Sequence, residues 1–187
     1  MSEELIKKVD LKIKDELSKV DGLERENSEK VLNAFIKEQV AETDFNATTG
    51  YGYNDVGRDK IEKIYSDIFK SEDALVRNQF ISGSHALTVA FFALLRPRDT
   101  LLSITGKPYD TMDEVIGLVD NKSSLKSFGI NYMQIDLINN EFDYDKIKEV
   151  ITNNKIKVIE IQRSKGYSTR CSLTIEKVES VISFIKS

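Results

Sequence analysis

Cysteine and histidine are almost missing from this sequence, which contains one of each, Cys171 and His85. A single cysteine excludes a disulfide within the chain. One cysteine and one histidine also supply too few of the ligands that structural zinc sites use. The sequence therefore excludes folds stabilised by internal disulfides and argues against folds stabilised by zinc.

Basic clusters and long apolar runs are missing as well. The net charge is −4 and no group of lysines and arginines stands out, so the composition does not indicate a nucleic-acid partner. The longest apolar run, Ala86–Leu95, is too short to span a bilayer. The acidic start, Met1–Leu5, lacks the apolar centre of a signal peptide. We expect a cytoplasmic protein with no membrane partner.

The 187 residues are 40% apolar and 31% charged, a balance that is typical of a folded globular domain. Apolar residues at helical spacing predict helices over 3–20 and 27–42, separated by a break at Asp21-Gly22. Together these helices are expected to form an N-terminal arm over 1–45. The arm would pack on the body of the protein or on a partner subunit.

The remainder of the chain is expected to be an α/β domain. Residues 43–57 predict a loop, and Arg58 opens an amphipathic helix after it. From residue 74 onward strands and helices alternate, which favours a mainly parallel sheet with right-handed crossovers. The predicted strands are 75–81, 100–105, 132–137 and 158–162. The helices between and after them are predicted to start at the Gly83 turn, at a capping box over Thr111–Glu114, at Asp143 and at Thr174.

Loops with polar residues or glycine follow these strands, at the end of the sheet where α/β proteins bind ligands. The first, Ser82-Gly83-Ser84-His85, opens a helix, so its backbone N–H groups and the helix dipole favour a phosphate. The alternative is that Gly83 only makes the turn. The sequence contains neither G-x-G-x-x-G nor G-x-x-x-x-G-K-[ST], which argues against dinucleotide and P-loop sites.

Four stretches carry long motifs that occur in this order in one family: Ala47–Ile68, Ala74–Leu87, Ile104–Gly117 and Ile161–Ile175. On these motifs the chain resembles the N-terminal part of the aluminium-resistance or methionine γ-lyase-like proteins. These are pyridoxal-phosphate enzymes of the Cys/Met-metabolism group with the aspartate-aminotransferase-like fold, fold type I. The resemblance implies that 46–73 is a cofactor and dimer segment and that 74–187 is an incomplete pyridoxal-phosphate-binding domain.

The resemblance also implies roles for residues on the α/β domain. Gly83 and Ser84, with His85, match the turn whose N–H groups hold the cofactor phosphate. Tyr109 matches an aromatic residue that stacks on the pyridine ring. Two alternatives stay open: Tyr109 could close a loop over the core, and His85 could bond to the local backbone.

Other residues are implied to reach the cofactor from elsewhere. Tyr53 and Arg58 match a tyrosine and an arginine that contact the phosphate of the neighbouring subunit, which implies a homodimer or homotetramer. Alternatively, Arg58 is an exposed residue in the first turn of a helix. Arg163 and Ser164 match a loop near the cofactor and substrate, whereas Lys165 does not match the family's cofactor-linking lysine and is expected to be solvated.

The sequence departs from the family pattern in three respects. Cys171 stands where the family usually has proline and Arg98 where it usually has glycine, and both changes are expected to affect turns. No residue matches the family's aspartate for the ring nitrogen or its Schiff-base lysine, which are expected beyond Ser187.

The implied family function is a pyridoxal-phosphate-dependent lyase that acts at a carbon–sulfur bond of a small amino-acid substrate. The 187 residues are expected to be inactive alone, since the Schiff-base lysine is unmatched. The alternative functions are a non-catalytic fragment that binds a phosphate ligand and a subunit-interaction fragment. The sequence does not indicate which sulfur amino acid is used.

Overall fold

The computed structural model describes residues 2–53 and 55–187, which divide into two compact units, the first ending at Gln79 and the second running from Phe80 to Ser187. The second unit contains a three-stranded parallel sheet packed with helices. This confirms the prediction of an α/β fold with a parallel sheet. Across the two described ranges, no helix is both long and apolar enough to cross a membrane.

The first unit begins with a single helix, α1 (Glu3–Lys37), so the prediction of two helices was wrong. The helix continues through Gly22, because an interior glycine costs only about 1 kcal/mol relative to alanine and this stretch contains no proline. The helix ends just before Gln39, which has a left-handed φ of 50°. The predicted break at Asp21-Gly22 is therefore absent.

A second helix, α2 (Val56–Phe69), contacts α1 within this unit, and Ala34 and Ile64 are the buried residues of the two helices. Lys37 and Asp67 form an ion pair at 2.5 Å between them. Most apolar side chains nearer the start of α1 are exposed within the unit. The two helices are thus in contact near the carboxyl end of α1.

A 3-10 turn (Glu42–Phe45) lies against the start of α2. Lys60 of α2 donates to the Asp44 carboxylate at 2.7 Å. Gly57 permits this close approach, because a Cβ there would lie 2.0 Å from the backbone oxygen of Asp44. The position therefore requires glycine for space.

The predicted strand over 75–81 was wrong, since these residues form an irregular segment. The backbone N–H of Val76 donates to the Glu62 carboxylate of α2 at 2.9 Å, and Arg77 forms an ion pair with the same carboxylate. The segment is therefore bonded to a helix side chain rather than to the ladder of backbone hydrogen bonds that defines a strand.

The second unit contains the other three predicted strands, each shorter than expected. They are β1 (Thr100–Ser103), β2 (Asn131–Gln134) and β3 (Val158–Glu160), in the spatial order β2-β1-β3. Leu102 of the central strand pairs with Met133 on one side and with Ile159 on the other. The strands are parallel, so their carboxyl ends meet at one edge.

Side chains alternate between the two faces of the sheet, and each face has its own core. Leu102 and Ile104 pack with the helices α5 (Tyr144–Asn153) and α6 (Ile175–Lys186). Leu101 packs on the other face with α3 (Gly83–Leu94) and the segment that follows β1. The fully buried central strand is what anchors the loops at its carboxyl end.

The predicted starts of three helices are confirmed by their caps. Ser82 accepts from the N–H of His85 at the start of α3, and Asp143 accepts from Lys146 at the start of α5. Thr174 accepts from Lys177 at the start of α6. Helical spacing predicts that Ile175, Val178, Ile182 and Ile185 form the apolar face of α6. This is only partly confirmed, because Val181 is fully buried whereas Ile175 and Ile182 are exposed.

The capping box predicted at Thr111–Glu114 is wrong. A 3-10 turn (Asp110–Met112) leads into α4 (Asp113–Ile116), which has only four residues, and the Thr111 hydroxyl accepts a hydrogen bond from Ser84 at 3.1 Å instead of capping a helix. The helix expected after this box was predicted to bury Val119 together with Val115 and Ile116, but Val119 is 51% exposed.

Arg98 lies between α3 and β1 with a φ of 79°, a conformation that glycine adopts freely and arginine does not. We expect Arg98→Gly to raise the free energy of unfolding by about 0.5–1 kcal/mol. Arg98→Ala is the matched control, since it removes the side chain but keeps the strained backbone. Thermal unfolding compares them, and a glycine variant no more stable than the alanine variant contradicts the prediction.

Candidate functional site

The start of α3 presents unpaired backbone donors. Ser82 accepts from the N–H of His85 through its hydroxyl at 3.1 Å and from the N–H of Ala86 through its carbonyl at 3.1 Å. The N–H groups of Gly83 and Ser84 have no acceptor among the residues that the structure describes. A Cβ added at Gly83 would meet nothing within 4 Å. This helix start is therefore open to an anion.

The side chains of Ser84 and His85 are held locally. Ser84 donates to the Thr111 hydroxyl at 3.1 Å, which brings the start of α3 next to the segment that follows β1. The Nδ1 atom of His85 accepts from the backbone N–H of Ile81 at 3.4 Å, and its ring lies edge-on to Phe80. The His85 ring thus has a local backbone partner, as the alternative interpretation of this residue expects.

Tyr109 stands two residues before Thr111 and is held by the loop that follows β3. Its backbone N–H donates to the Gln162 side chain at 2.9 Å, and its hydroxyl lies 2.6 Å from the Ser164 hydroxyl. Gly166 packs against the ring, where a Cβ would come within 2.9 Å of a ring carbon. Tyr109 is nevertheless 37% exposed, so its ring is fixed but accessible.

The sheet carries a polar group just below these loops. Glu160 of β3 pairs in register with Ser103 of β1, whose hydroxyl donates to the backbone oxygen of Gly106 at 2.7 Å. One carboxylate oxygen of Glu160 is buried without a hydrogen-bond partner in the described ranges. Burial raises the pKa of Glu160, and the nearby Ser103 hydroxyl opposes part of this shift. Burial, followed by the negative charge of Glu160, also raises the pKa of Tyr132.

The raised pKa of Glu160 predicts a pH-dependent stability. Well below the ordinary carboxyl pKa of 4.5, Glu160 is protonated in both the folded and the unfolded chain. As pH rises through and above that value the unfolded chain ionises first, so wild-type stability falls. We expect Glu160→Gln to match the wild type near pH 4 and to unfold a few degrees higher than the wild type at pH 8. Glu179→Gln, at an exposed position of α6, is the control. An equal effect of Glu160→Gln at both pH values contradicts the prediction.

The first unit contains a separate cleft of about 660 Å³ at the start of α2, lined by Thr48, Arg58 and Asn78 among others. Asp55 caps α2 by accepting from the N–H of Arg58 at 3.3 Å, so Arg58 is the third residue of the helix rather than its first. The Arg58 guanidinium makes one long contact, 3.4 Å to the Gly50 carbonyl, and its Nε is buried without a partner in the described chain.

The six predicted site residues thus fall into two groups. Gly83, Ser84 and His85 start α3 in the second unit, and Tyr109 is linked to them through the Ser84–Thr111 hydrogen bond. Arg58 lines the cleft of the first unit, and Tyr53 in the preceding loop is 82% exposed.

Two contributors to the second-unit site were missed: Thr111 and Gln162. The only signal for Gln162 was a polar residue at the carboxyl end of a predicted strand.

The fold and site geometry define an α/β protein whose helix start can receive an anion beside an accessible aromatic ring. The profile of the methionine gamma-lyase family matches residues 2–187. The chain therefore belongs to the methionine gamma-lyase family.

Individual relatives agree with this assignment. The chain is 44% identical to YnbB of Bacillus subtilis (strain 168), a protein described as uncharacterized, over 98% of this chain and 45% of that protein. A crystal structure of a candidate cystathionine beta-lyase involved in aluminum resistance from Listeria innocua superposes with a TM-score of 0.93 at 44% identity, covering 100% of this chain and 46% of that one.

A third relative carries a related description. The structure of a carbon-sulfur lyase involved in aluminum resistance from Clostridium novyi NT gives a TM-score of 0.91 at 40% identity, over 98% of this chain and 44% of that one. The chain thus spans about half the length of the relatives it matches.

Proposed function

We propose that this chain provides the phosphate-binding and ring-binding part of a pyridoxal-phosphate-dependent carbon–sulfur lyase that acts on a sulfur amino acid. The observation that carries the proposal is the start of α3, where two unpaired N–H groups lie beside a segment bearing a fixed tyrosine. Membership of the methionine gamma-lyase family and the descriptions of two relatives as cystathionine beta-lyase and carbon-sulfur lyase proteins support it.

The residues present fit two parts of pyridoxal phosphate: the helix start suits its phosphate and the tyrosine suits its ring. The phosphate would accept from the N–H groups of Gly83 and Ser84, where the helix dipole is positive and no side chain fills the space. The Tyr109 ring would lie against the pyridine ring. The bond of its hydroxyl to Ser164 would restrain the ring, and the bond of its backbone N–H to Gln162 would hold the residue in place. When bound, pyridoxal phosphate supplies an electron-withdrawing ring that stabilises negative charge on the substrate.

Arg58 would act on the cofactor of a neighbouring copy of the chain in a homodimer or homotetramer. Its guanidinium has an unpaired Nε and only one long hydrogen bond among the described residues, so donors remain for a phosphate. A planar guanidinium pairs with phosphate through two parallel hydrogen bonds. Exposed Tyr53 would contribute its hydroxyl from the loop that precedes α2.

Turnover requires more than a bound cofactor. A lyase of this class needs a lysine that bonds to the cofactor and moves protons. No lysine of this sequence matches that position, and Lys165 lies in the exposed loop after β3. We expect these 187 residues to release no product from sulfur amino acids and borohydride to trap no single lysine. Specific labelling of Lys165 would contradict this part of the proposal.

The test is a titration of the purified chain with four ligands: pyridoxal phosphate, pyridoxal, NAD and ATP. The proposal expects saturable binding of pyridoxal phosphate, at least tenfold tighter than pyridoxal, because only the former carries the phosphate. Tighter binding of NAD or ATP would favour a nucleotide-binding function instead. Equal affinity for pyridoxal phosphate and pyridoxal would contradict the phosphate site.

A further inference from the structure

We propose that Arg170 is a positioning residue for Tyr109. It holds the loop whose side chains fix the tyrosine ring, and through that ring it sets the orientation of a bound pyridoxal ring. The hold of Arg170 on Tyr109 is a property of the protein alone, whereas its effect on a bound pyridoxal ring rests on the proposed function. The two are therefore tested by separate measurements.

The Arg170 guanidinium ties three backbone carbonyls of its own loop together. One terminal nitrogen donates to the carbonyls of Gln162 at 3.1 Å and Ser164 at 2.7 Å, and the other donates to the carbonyl of Cys171 at 2.9 Å. A planar guanidinium can meet several acceptors at once, which an ammonium on a flexible stem does less well. Arg170 itself is half-buried.

Two of these three carbonyls belong to the residues that hold Tyr109. Gln162 accepts from the Tyr109 backbone N–H, and Ser164 bonds to its hydroxyl. Residues 161–174 form neither helix nor strand, so the backbone of this loop lacks a hydrogen-bond ladder of its own. The N–H of Gln162 also donates to the Thr105 hydroxyl at 2.9 Å, and the N–H of Leu173 donates to the Arg163 carbonyl at 3.1 Å. What Arg170 adds is a single side chain that bonds to both the Gln162 and the Ser164 carbonyls.

Arg96 offers a matched control within the same unit. Its guanidinium also ties three carbonyls, those of Phe92, Ala93 and Leu95, at the carboxyl end of α3. The 12 residues of α3 place that end about 18 Å from the helix start. Arg96→Met and Arg170→Met thus remove equivalent contacts, but only Arg170→Met touches the loop that holds Tyr109.

The first measurement needs no ligand. The seven tyrosines are replaced with 3-fluorotyrosine, and the fluorine signal of Tyr109 is assigned by its loss in Tyr109→Phe. We expect Arg170→Met to shift or broaden the Tyr109 signal, and Arg96→Met to leave it unchanged. A Tyr109 signal that is the same in Arg170→Met and the wild type overturns the proposal, whatever the protein binds.

The second measurement is the affinity for pyridoxal phosphate. Arg170→Met should weaken binding roughly tenfold, whereas Arg96→Met should weaken it less than twofold. In a Tyr109→Ala background, Arg170→Met should weaken binding less than twofold further, because contacts in one network are not additive. Equal losses in both backgrounds indicate general destabilisation and overturn the positioning role. Absence of binding by the wild type contradicts the proposed function instead, and the fluorine signal still decides the role of Arg170.

Discussion

Replacing Gly83 with aspartate is expected to weaken binding of pyridoxal phosphate roughly 100-fold without unfolding the chain. The new carboxylate would stand at the N–H groups that receive the phosphate, and two like charges about 4 Å apart at a protein surface repel by roughly 2–4 kcal/mol. The fold should tolerate the change, because a Cβ at Gly83 meets nothing within 4 Å and an acidic residue in the first turn of a helix is favourable.

Ile175→Asp is the matched control for this prediction. Ile175 is the first residue of α6, is exposed, and follows a threonine cap as Gly83 follows a serine cap. An aspartate there should leave the affinity for pyridoxal phosphate within twofold of the wild type. If Gly83→Asp and Ile175→Asp bind pyridoxal phosphate equally well, the phosphate is not held at the start of α3.

The second large effect concerns the first unit. Gly57→Ala would place a Cβ 2.0 Å from the backbone oxygen of Asp44, so the 3-10 turn and the start of α2 must separate. We expect a loss of about 2–3 kcal/mol, in the range that overpacking produces. The Lys60–Asp44 ion pair, with a lysine side chain 22% exposed, would be disturbed with it. Amide hydrogen exchange of α2 measures the change.

The same substitution at Gly22 should have the opposite sign. Gly22 lies inside α1 with nothing within 4 Å of its Cβ position, so alanine adds helix propensity without a contact and should stabilise by about 0.5–1 kcal/mol. If Gly57→Ala is as well tolerated as Gly22→Ala, the close contact between Asp44 and Gly57 does not exist in solution.

The features that the sequence predicted correctly are those set by neighbouring residues. Ser82, Asp143 and Thr174 each bond to an N–H three residues ahead, and that contact forms whatever the remainder of the chain does. The three strands of the sheet were also predictable, because their apolar runs are short and bounded by turns.

The wrong predictions involve contacts with distant residues. Thr111 has the sequence of a helix cap, but its hydroxyl bonds to Ser84, 27 residues away. The segment over 75–81 has the apolar pattern of a strand, but its backbone bonds to Glu62 of α2. In both cases the segment bonds to a distant residue that the local sequence pattern does not indicate.

The resemblance pointed to the residues that would contact the cofactor. It did not point to the residues that hold those side chains in place. The Gln162 side chain bonds to Tyr109 across 53 residues of sequence, and nothing near either residue indicates that contact. Arg98 shows the opposite case, since a glycine expected from the family pattern corresponds to a left-handed φ of 79° in the structure.

The central claim, that a phosphate is held at the start of α3, is tested most directly by the backbone amide NMR signals of the chain during titration with pyridoxal phosphate. We predict that the amide signals of Gly83, Ser84 and His85 move together and saturate, and that those of Ile175 and Glu176 at the start of α6 do not. Binding that leaves the signals of 83–85 unmoved, or that moves both helix starts equally, would contradict the claim.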